Sequence, residues 1–144
     1  MNAFLLSIHV LAAILAIGPV AVAASMFPSA ARAEKVAALR ILHRTTRVYA
    51  AIGVLVPVFG LATGASIGVL GDPWLIVSLI LTVVAAAILI TLILPGQKRI
   101  VDARGADRQL AARLAMQTGI FNLLWAAVVV LMIYRPGSTT GVGL

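Results

Sequence analysis

The fold of this chain is decided by residues 74–95, WLIVSLILTVVAAAILITLILP, in which no side chain carries a charge. An α-helix needs about 20 apolar residues to cross the roughly 30 Å of hydrocarbon in a membrane, and this stretch is long enough. Three more uncharged stretches of similar length occupy residues 3–25, 48–70 and 114–134. None of them alternates apolar with polar residues, as the strands of a membrane barrel do. We therefore predict an all-α membrane protein, a bundle of four transmembrane helices.

The overall composition agrees with this prediction. Hydrophobic residues make up 62% and charged residues 10% of the 144-residue chain, and the mean hydropathy is +1.14. A soluble domain has about 25% charged residues, so this chain has too few charges to cover a surface in water. Soluble enzymes and disordered segments are therefore excluded. The absence of cysteine also excludes a disulfide-bonded module, a thiolate zinc site and a cysteine nucleophile.

The positions of glycine, proline and polar turn residues predict one domain, residues 1–136, followed by a flexible polar tail at 137–144. A turn at residues 71–73, Gly-Asp-Pro, predicts that the second and third helices form an antiparallel hairpin. Pro28, Pro95 and Pro136 are expected to end the first, third and fourth helices. Residues 21–23, Ala-Val-Ala, resemble a signal-peptidase site. Because no Lys or Arg precedes the long apolar stretch, we expect the first helix to be retained.

The charged residues predict how the chain is oriented. Residues 32–47 carry a net +4 and residues 98–113 a net +3, which together account for the net charge of +7. Lys and Arg in short loops mark the cytoplasmic side of a membrane. We therefore predict cytoplasmic basic loops, with the N-terminus and the C-terminus outside. Nucleic acid is not an expected partner, although the pI is about 11.5.

Residues 30–47 allow two interpretations. If they form a separate helix, its arginines lie on one side and its apolar residues on the other, as in a helix that lies on the inner leaflet. The alternative is a cytoplasmic extension of the second transmembrane helix. In either case we expect contact between lipid headgroups and the basic side chains Arg32, Arg40, Arg44, Arg47, Lys98 and Arg99.

His9 is the only histidine inside the four predicted stretches, which contain no Asp, Glu, Lys or Arg. Ionisable side chains are costly within a membrane. One interpretation is a histidine that bonds a neighbouring helix or reaches the interface. The alternative is a ligand of haem b or copper, for which Met132, at similar depth in the fourth helix, would be a partner. Methionine in such a helix more often only packs, so the leading interpretation includes no cofactor.

Polar residues also occur in the fourth helix. Gln117, Thr118 and Asn122 form a polar patch that predicts hydrogen bonds between helices or, alternatively, the lining of a solute pathway. Trp74 is expected at the outer membrane boundary, where aromatic residues are enriched. Trp125 lies near the middle of its apolar stretch and is expected to pack between helices.

Glycines and prolines in the first two helices predict how they pack. Gly60, Gly64 and Gly68 are four residues apart and predict a groove on the second helix, into which another helix packs closely. We expect the first or third helix to fill this groove; the alternative is the second helix of another copy. Pro19 and Pro57 are expected to kink their helices.

The first helix carries a resemblance to a known family. Residues 5–13 are LLSIHVLAA and residues 17–19 are IGP, a pattern that resembles the small bacterial integral-membrane family known as domain of unknown function 2269. The resemblance includes residues 56–64 and, more loosely, the whole chain. It implies a four-helix fold in a bacterial membrane and implies no particular activity.

A more distant resemblance concerns His9 alone. A histidine in the first helix of a four-helix unit is similar to the copper-resistance D family and to the HemJ-type protoporphyrinogen oxidase. In that oxidase, a lysine within a later helix accompanies the histidine. The third stretch of this chain contains no lysine, so oxidase activity is not expected.

Three hypotheses for function follow. The leading one is a non-enzymatic, multi-pass protein of the bacterial inner membrane that acts as an oligomer or as an accessory subunit of a larger membrane complex. Its expected partners are membrane lipids, further copies of itself or other membrane subunits. The second hypothesis is a protein that handles haem or copper through His9. The third is a small channel or transporter.

Overall fold

The computed structural model describes residues 2–66, 68–103 and 108–134, and its regular elements there are all helical. Helix α1 (Asn2–Ala12), a π-helical turn (Ala13–Ile17) and α2 (Gly18–Arg32) are continuous and form the first span. Helices α3 (Val36–Ile52) and α4 (Leu55–Ser66) form the second span. Helix α5 (Pro73–Ile88), a π-helical turn (Leu89–Ile93) and α6 (Leu94–Asp102) form the third span. Helix α7 (Arg108–Tyr134) is the fourth.

All four spans are long and apolar enough to cross a membrane, which confirms the prediction of an all-α chain with four such helices. In the most apolar window of each span, at most 22% of the residues are buried inside the bundle. Leu15 and Leu123, for example, are 65% and 73% exposed. Helices with this much apolar outer surface are typical of a multi-pass membrane protein. The predicted tail at 137–144 lies outside the described residues.

The helices are longer than the apolar stretches at one end of the bundle. We call this end, formed by residues 32–47, 96–103 and 108–113, the basic end, and the opposite end, with residues 68–72, the turn end. The predictions that Pro28 and Pro95 end their helices are wrong, because the helices continue to Arg32 and Asp102. Burial of the residues beyond each proline, such as Ala31 and Ile100, stabilises the added turns. At the turn end, the second span ends at Ser66, four residues before the end of its apolar stretch.

Each of the first three spans departs from α-helical geometry just before a proline. The two π-helical turns end two residues before Pro19 and Pro95. In the second span the helix is interrupted at Gly53 and Val54, and the Val56 N–H bonds the Gly53 carbonyl at 3.0 Å. Pro57 has no N–H to offer that carbonyl. Proline lacks a donor and its ring collides with the carbonyl four residues earlier, so the preceding turn widens or breaks.

A tight reversal joins the first two spans at the basic end. Glu34 has a positive φ of 54°, and the N–H of Lys35 bonds the Ala30 carbonyl at 3.1 Å. This is the hydrogen bond of a Schellman helix ending. Helix α3 then runs back along the first span and buries Leu39 completely. Of residues 30–47, residues 36–47 therefore extend the second span, and residues 30–32 end the first span.

The two halves of the bundle are packed differently. At the basic end, all four spans contribute to one core, with the side chains of Phe27, Leu39, Ile100 and Leu114 fully or almost fully buried. In the half near the turn end, α1 packs on α4 and α5 packs on α7, while α4 and α5 hardly meet. The turn half is thus two helix pairs with a gap between them.

Candidate functional site

The gap between the helix pairs is a cleft of about 700 Å³, which is the candidate functional site. All four spans line it, and most lining side chains are apolar. Ligand pockets in proteins have volumes of about 300–1,000 Å³ and are mostly apolar with a few placed polar groups. The cleft therefore has the size and chemistry of a ligand site.

His9 supplies the main polar group of the cleft wall. Its Nδ1 atom lies 2.9 Å from the backbone carbonyl oxygen of Val56. Because a carbonyl can only accept, Nδ1 carries the proton and donates it. In the neutral ring, Nε2 then has an unshared electron pair. The hydrogen bond to a neighbouring helix expected for His9 is present, and it leaves one ring nitrogen available to a ligand.

Gly60 has no side chain and so leaves room for the His9 ring. A Cβ atom built on Gly60 would lie only 2.8 Å from Cε1 and 3.2 Å from Nδ1 of His9. The imidazole ring thus lies directly against the backbone of α4, at a point where no larger residue leaves room. Sequence reasoning identified both residues, but it did not connect them.

The three glycines predicted to form one groove have three different surroundings. A Cβ at Gly64 would lie 3.2 Å from Leu75 of the third span and 3.3 Å from Leu70, so the space at Gly64 is filled within the chain. Gly68 lies beyond the end of α4, in the turn, with a φ of +74°. Gly68 therefore does not belong to the helix face, because the helix ends before it. The first span reaches Gly60 and the third reaches Gly64.

Met132 lines the same cleft as His9 and packs against the buried cluster of Val69, Trp74 and Leu75. Trp74 is only 6% exposed and donates its indole N–H to the Asp72 carboxylate at 3.1 Å. This hydrogen bond satisfies the indole at the turn end of the bundle, and the expected position of Trp74 at the membrane boundary stays a prediction. The other tryptophan of the chain, Trp125, packs against the core as expected and also lines the cleft.

The polar patch of the fourth helix lies away from the cleft, in the basic half. The Asn122 amide donates to the Ser25 hydroxyl of the first span at 3.1 Å. Thr118 is 3% exposed, and its hydroxyl has no partner among the described residues. Gln117 is half-buried on the adjoining surface of α7. One hydrogen bond between helices is present, as the patch predicted.

Sequence reasoning missed a second buried polar contact. The His43 Nδ1 atom donates to the Gln97 side-chain oxygen at 3.0 Å. Gln97 is 1% exposed, and its amide nitrogen has no partner among the described residues. The spacing of Ile93, Gln97 and Ile100 is the signal that could have placed Gln97 on a buried helix face.

The basic side chains predicted to meet lipid headgroups all lie exposed at the basic end, namely Arg32, Arg40, Arg44, Arg47, Lys98 and Arg99. Within the described ranges, no three His, Asp or Glu side chains gather closely enough to hold a metal ion. Comparisons with protein-family models, curated proteins and solved structures find no match for this chain. The family resemblance of the first helix thus stays a prediction.

Proposed function

We propose that this chain is a non-enzymatic, multi-pass membrane protein that binds an apolar ligand in the cleft of its turn half. The observation that carries the proposal is the cleft itself, about 700 Å³ with a mostly hydrocarbon lining and the His9 imidazole in its wall. Burial of apolar surface supplies affinity, and one polar group fixes the orientation of the ligand. Whether the protein also acts as an oligomer or as an accessory subunit stays a prediction.

The charge pattern supports a particular membrane setting. The basic residues that the structure describes gather at one end of the bundle, and we propose that this end faces the cytoplasm of a bacterium across its inner membrane. The N-terminus, the turn end and the cleft then face outward. In this setting, the cleft lies in the outer half of the membrane and receives its ligand from there.

The polar groups of the cleft indicate the chemistry of the ligand. The hydroxyls of Thr63 and Thr82 donate to the Phe59 and Ser78 carbonyls of their own helices, at 2.8 Å each. The Nε2 atom of His9 accepts a hydrogen bond when the ring is neutral. A ligand with a long apolar body and one hydroxyl, such as a long-chain alcohol, satisfies this site.

The two tryptophans make a direct test possible, because Trp74 and Trp125 both line the cleft. The full chain in detergent is titrated with 11-bromoundecan-1-ol and with 1-bromoundecane, which differ in one hydroxyl and quench tryptophan fluorescence on contact. We expect saturable quenching by both probes. The alcohol should reach half-maximal quenching at an about fivefold lower mole fraction in the detergent than the bromoalkane, since one hydrogen bond contributes about 1 kcal/mol.

Variants at the two histidines complete this test. His9→Phe keeps a ring but removes the acceptor, so the fivefold advantage of the alcohol should disappear. His43→Phe changes the only other histidine of the chain, which lies at the opposite end, and should leave the advantage unchanged. Quenching that never saturates would refute the cleft as a ligand site. An advantage that persists in His9→Phe would refute the role of His9.

The haem or copper hypothesis is the second candidate, and one observation favours it. Histidines that ligate metals commonly donate their other ring N–H to a backbone carbonyl, as His9 does to Val56. Met132 lines the same cleft, so His9 and Met132 are the residues that would hold haem b, which supplies electron transfer when bound. The residues that line the cleft are mostly apolar and include no Asp, Glu, Lys or Arg among the described residues, and we therefore rank the uncharged ligand first.

Haemin and copper(I) added to the purified protein separate the two candidates. A Soret band, or bound copper, that is lost in His9→Ala and kept in His43→Ala would favour the second candidate. A spectrum identical to that of free haemin, with no retained copper, would exclude it.

A further inference from the structure

A second, smaller pocket lies at the basic end, between α6 and the start of α7. Its volume is about 220 Å³, and it is lined by Arg99, Ala103, Gln109, Leu110 and Arg113. Three of these side chains carry N–H donors. No carboxylate lines the pocket among the described residues. This pocket is far from the cleft and has the opposite chemistry.

The packing of the third span against the fourth holds the pocket in shape. A Cβ atom on Gly96 would lie 2.8 Å from Cδ2 of Leu114, so the two helices approach closely at this point. Arg99 lies three residues after Gly96, about one turn towards the end of α6. Arg113 directly precedes Leu114, and Gln109 lies one turn before Arg113. The close crossing of α6 and α7 therefore holds the N–H donors of the two helices on opposite sides of the pocket.

Two guanidinium groups beside one pocket repel each other, so an anion between them is favoured. The planar fork of arginine matches the oxygen geometry of phosphate and often binds it with two hydrogen bonds. The Gln109 amide is a further donor of the right type. Asp102, the next acidic residue along α6, is exposed and does not line the pocket.

We propose that this pocket binds a phosphate group between Arg99 and Arg113. The phosphodiester of an anionic phospholipid and free inorganic phosphate share this chemistry. The apolar side chains of Ala103 and Leu110 complete the lining and favour the lipid as the source. The site differs from general headgroup attraction by exposed arginines, because it needs donors from two helices in a fixed arrangement.

The experiment uses the full chain in dodecyl maltoside, which contains no phosphate. Native mass spectrometry measures the binding of phosphatidylglycerol, and calorimetry measures the binding of inorganic phosphate. We expect Arg99→Gln/Arg113→Gln to lower the affinity for phosphatidylglycerol at least tenfold, since hydrogen bonds to charged groups are among the strongest in proteins. Both residues are exposed, so the variant should keep the thermal midpoint of the wild type.

The matched control is Arg40→Gln/Arg44→Gln, which removes the same charge from two exposed residues of α3 at the same end. Its loss of affinity should stay well below that of Arg99→Gln/Arg113→Gln, because Arg40 and Arg44 contribute only the general attraction of headgroups. Arg99→Lys/Arg113→Lys keeps the charge and removes the forks, and should lose most of the affinity. If inorganic phosphate binds with this same variant pattern and the lipid does not, the phosphate site stands with free phosphate as its source.

Three results would overturn the proposal. Equal losses in the Arg99/Arg113 and Arg40/Arg44 variants would show diffuse attraction to charge without a defined site, and no binding of either probe would show that there is no site. Binding of either probe to the Asp102→Asn/Asp107→Asn variant and not to the wild type would show that the chain's own carboxylates occupy the pocket. Asp107 lies outside the described residues.

Discussion

Two buried threonines, Thr46 and Thr118, differ in how their hydroxyls are satisfied. Thr46 is fully buried and donates to the Leu42 carbonyl at 2.8 Å. The Thr118 hydroxyl is buried without a partner among the described residues. A buried polar atom without a partner loses its hydrogen bond to water and gains nothing in return. The two positions therefore predict different changes in stability on substitution of the threonine by valine.

Thr118→Val replaces the buried hydroxyl with a methyl group of similar size. We expect it to raise the free energy of unfolding by about 1 kcal/mol, because it removes an unsatisfied polar group. Thr46→Val is the control and should change stability by less than about 0.5 kcal/mol, since the Leu42 carbonyl keeps its helical hydrogen bond. Unfolding by a denaturing detergent measures both. A clear loss of stability in Thr118→Val would mean that a bound water satisfies the hydroxyl, contrary to this account.

The residue scale also shows where sequence reasoning reaches its limit. Sequence placed His9 in the first span and expected a partner on a neighbouring helix, because an unpaired imidazole is costly in a membrane. It could not identify Val56 as that partner, since a backbone carbonyl carries no sequence signal. The π-helical turn at Ala13–Ile17 lies between His9 and the rest of the span, and it alters the register on which helix-face arguments depend.

At the scale of the helices, hydropathy located all four spans but not their ends. Hydropathy ends each stretch at the first charges, whereas the pattern of residues 30–47 allowed either a separate helix or an extension of the second span. Helix α3 nevertheless buries Leu39 on one face and exposes Arg40 and Arg44 on another, so amphipathic periodicity was the better signal there. The continuation through Pro95 was harder to foresee, since it depends on the π-helical turn that precedes it.

The crossing of the third and fourth spans gives a prediction at this scale. Gly96→Ala would place a Cβ 2.8 Å from Leu114, and we expect it to cost about 1–3 kcal/mol of stability. Leu114→Ala alone should also destabilise, by leaving a cavity. The double variant should lose at least about 1 kcal/mol less than the sum of the two, because the new methyl group enters the space left by the leucine.

Gly119→Ala is the control for this cycle. Gly119 lies within α7, and nothing lies within 4 Å of a Cβ built there. The variant should be neutral or more stable by up to about 1 kcal/mol, through helix propensity alone. If Gly96→Ala were tolerated as well as Gly119→Ala, the close crossing would be refuted.

At the scale of the whole molecule, the basic end and the turn end lie at opposite ends of the four spans, which makes the proposed orientation testable. The chain contains no cysteine, so single cysteines report on one site each. Ala33 at the basic end and Gly71 at the turn end are both exposed. We expect an impermeant maleimide to label Gly71→Cys on intact cells and Ala33→Cys only after permeabilisation. The reverse pattern would invert the assignment of the cytoplasmic side.

The unequal packing of the two halves has a thermodynamic consequence. A channel or a transporter must open to the compartments on both sides of the membrane, either alternately or at the same time. Here one half is closed by a core to which every span contributes, and the cleft lies wholly in the other half. We therefore expect the ligand of the proposed function to equilibrate with a single reservoir. The fraction of occupied clefts should depend on the chemical potential of the ligand on that side alone. A concentration gradient of the ligand across the bilayer should not change it. This behaviour is typical of a receptor, or of a carrier that binds and releases its ligand at the same face.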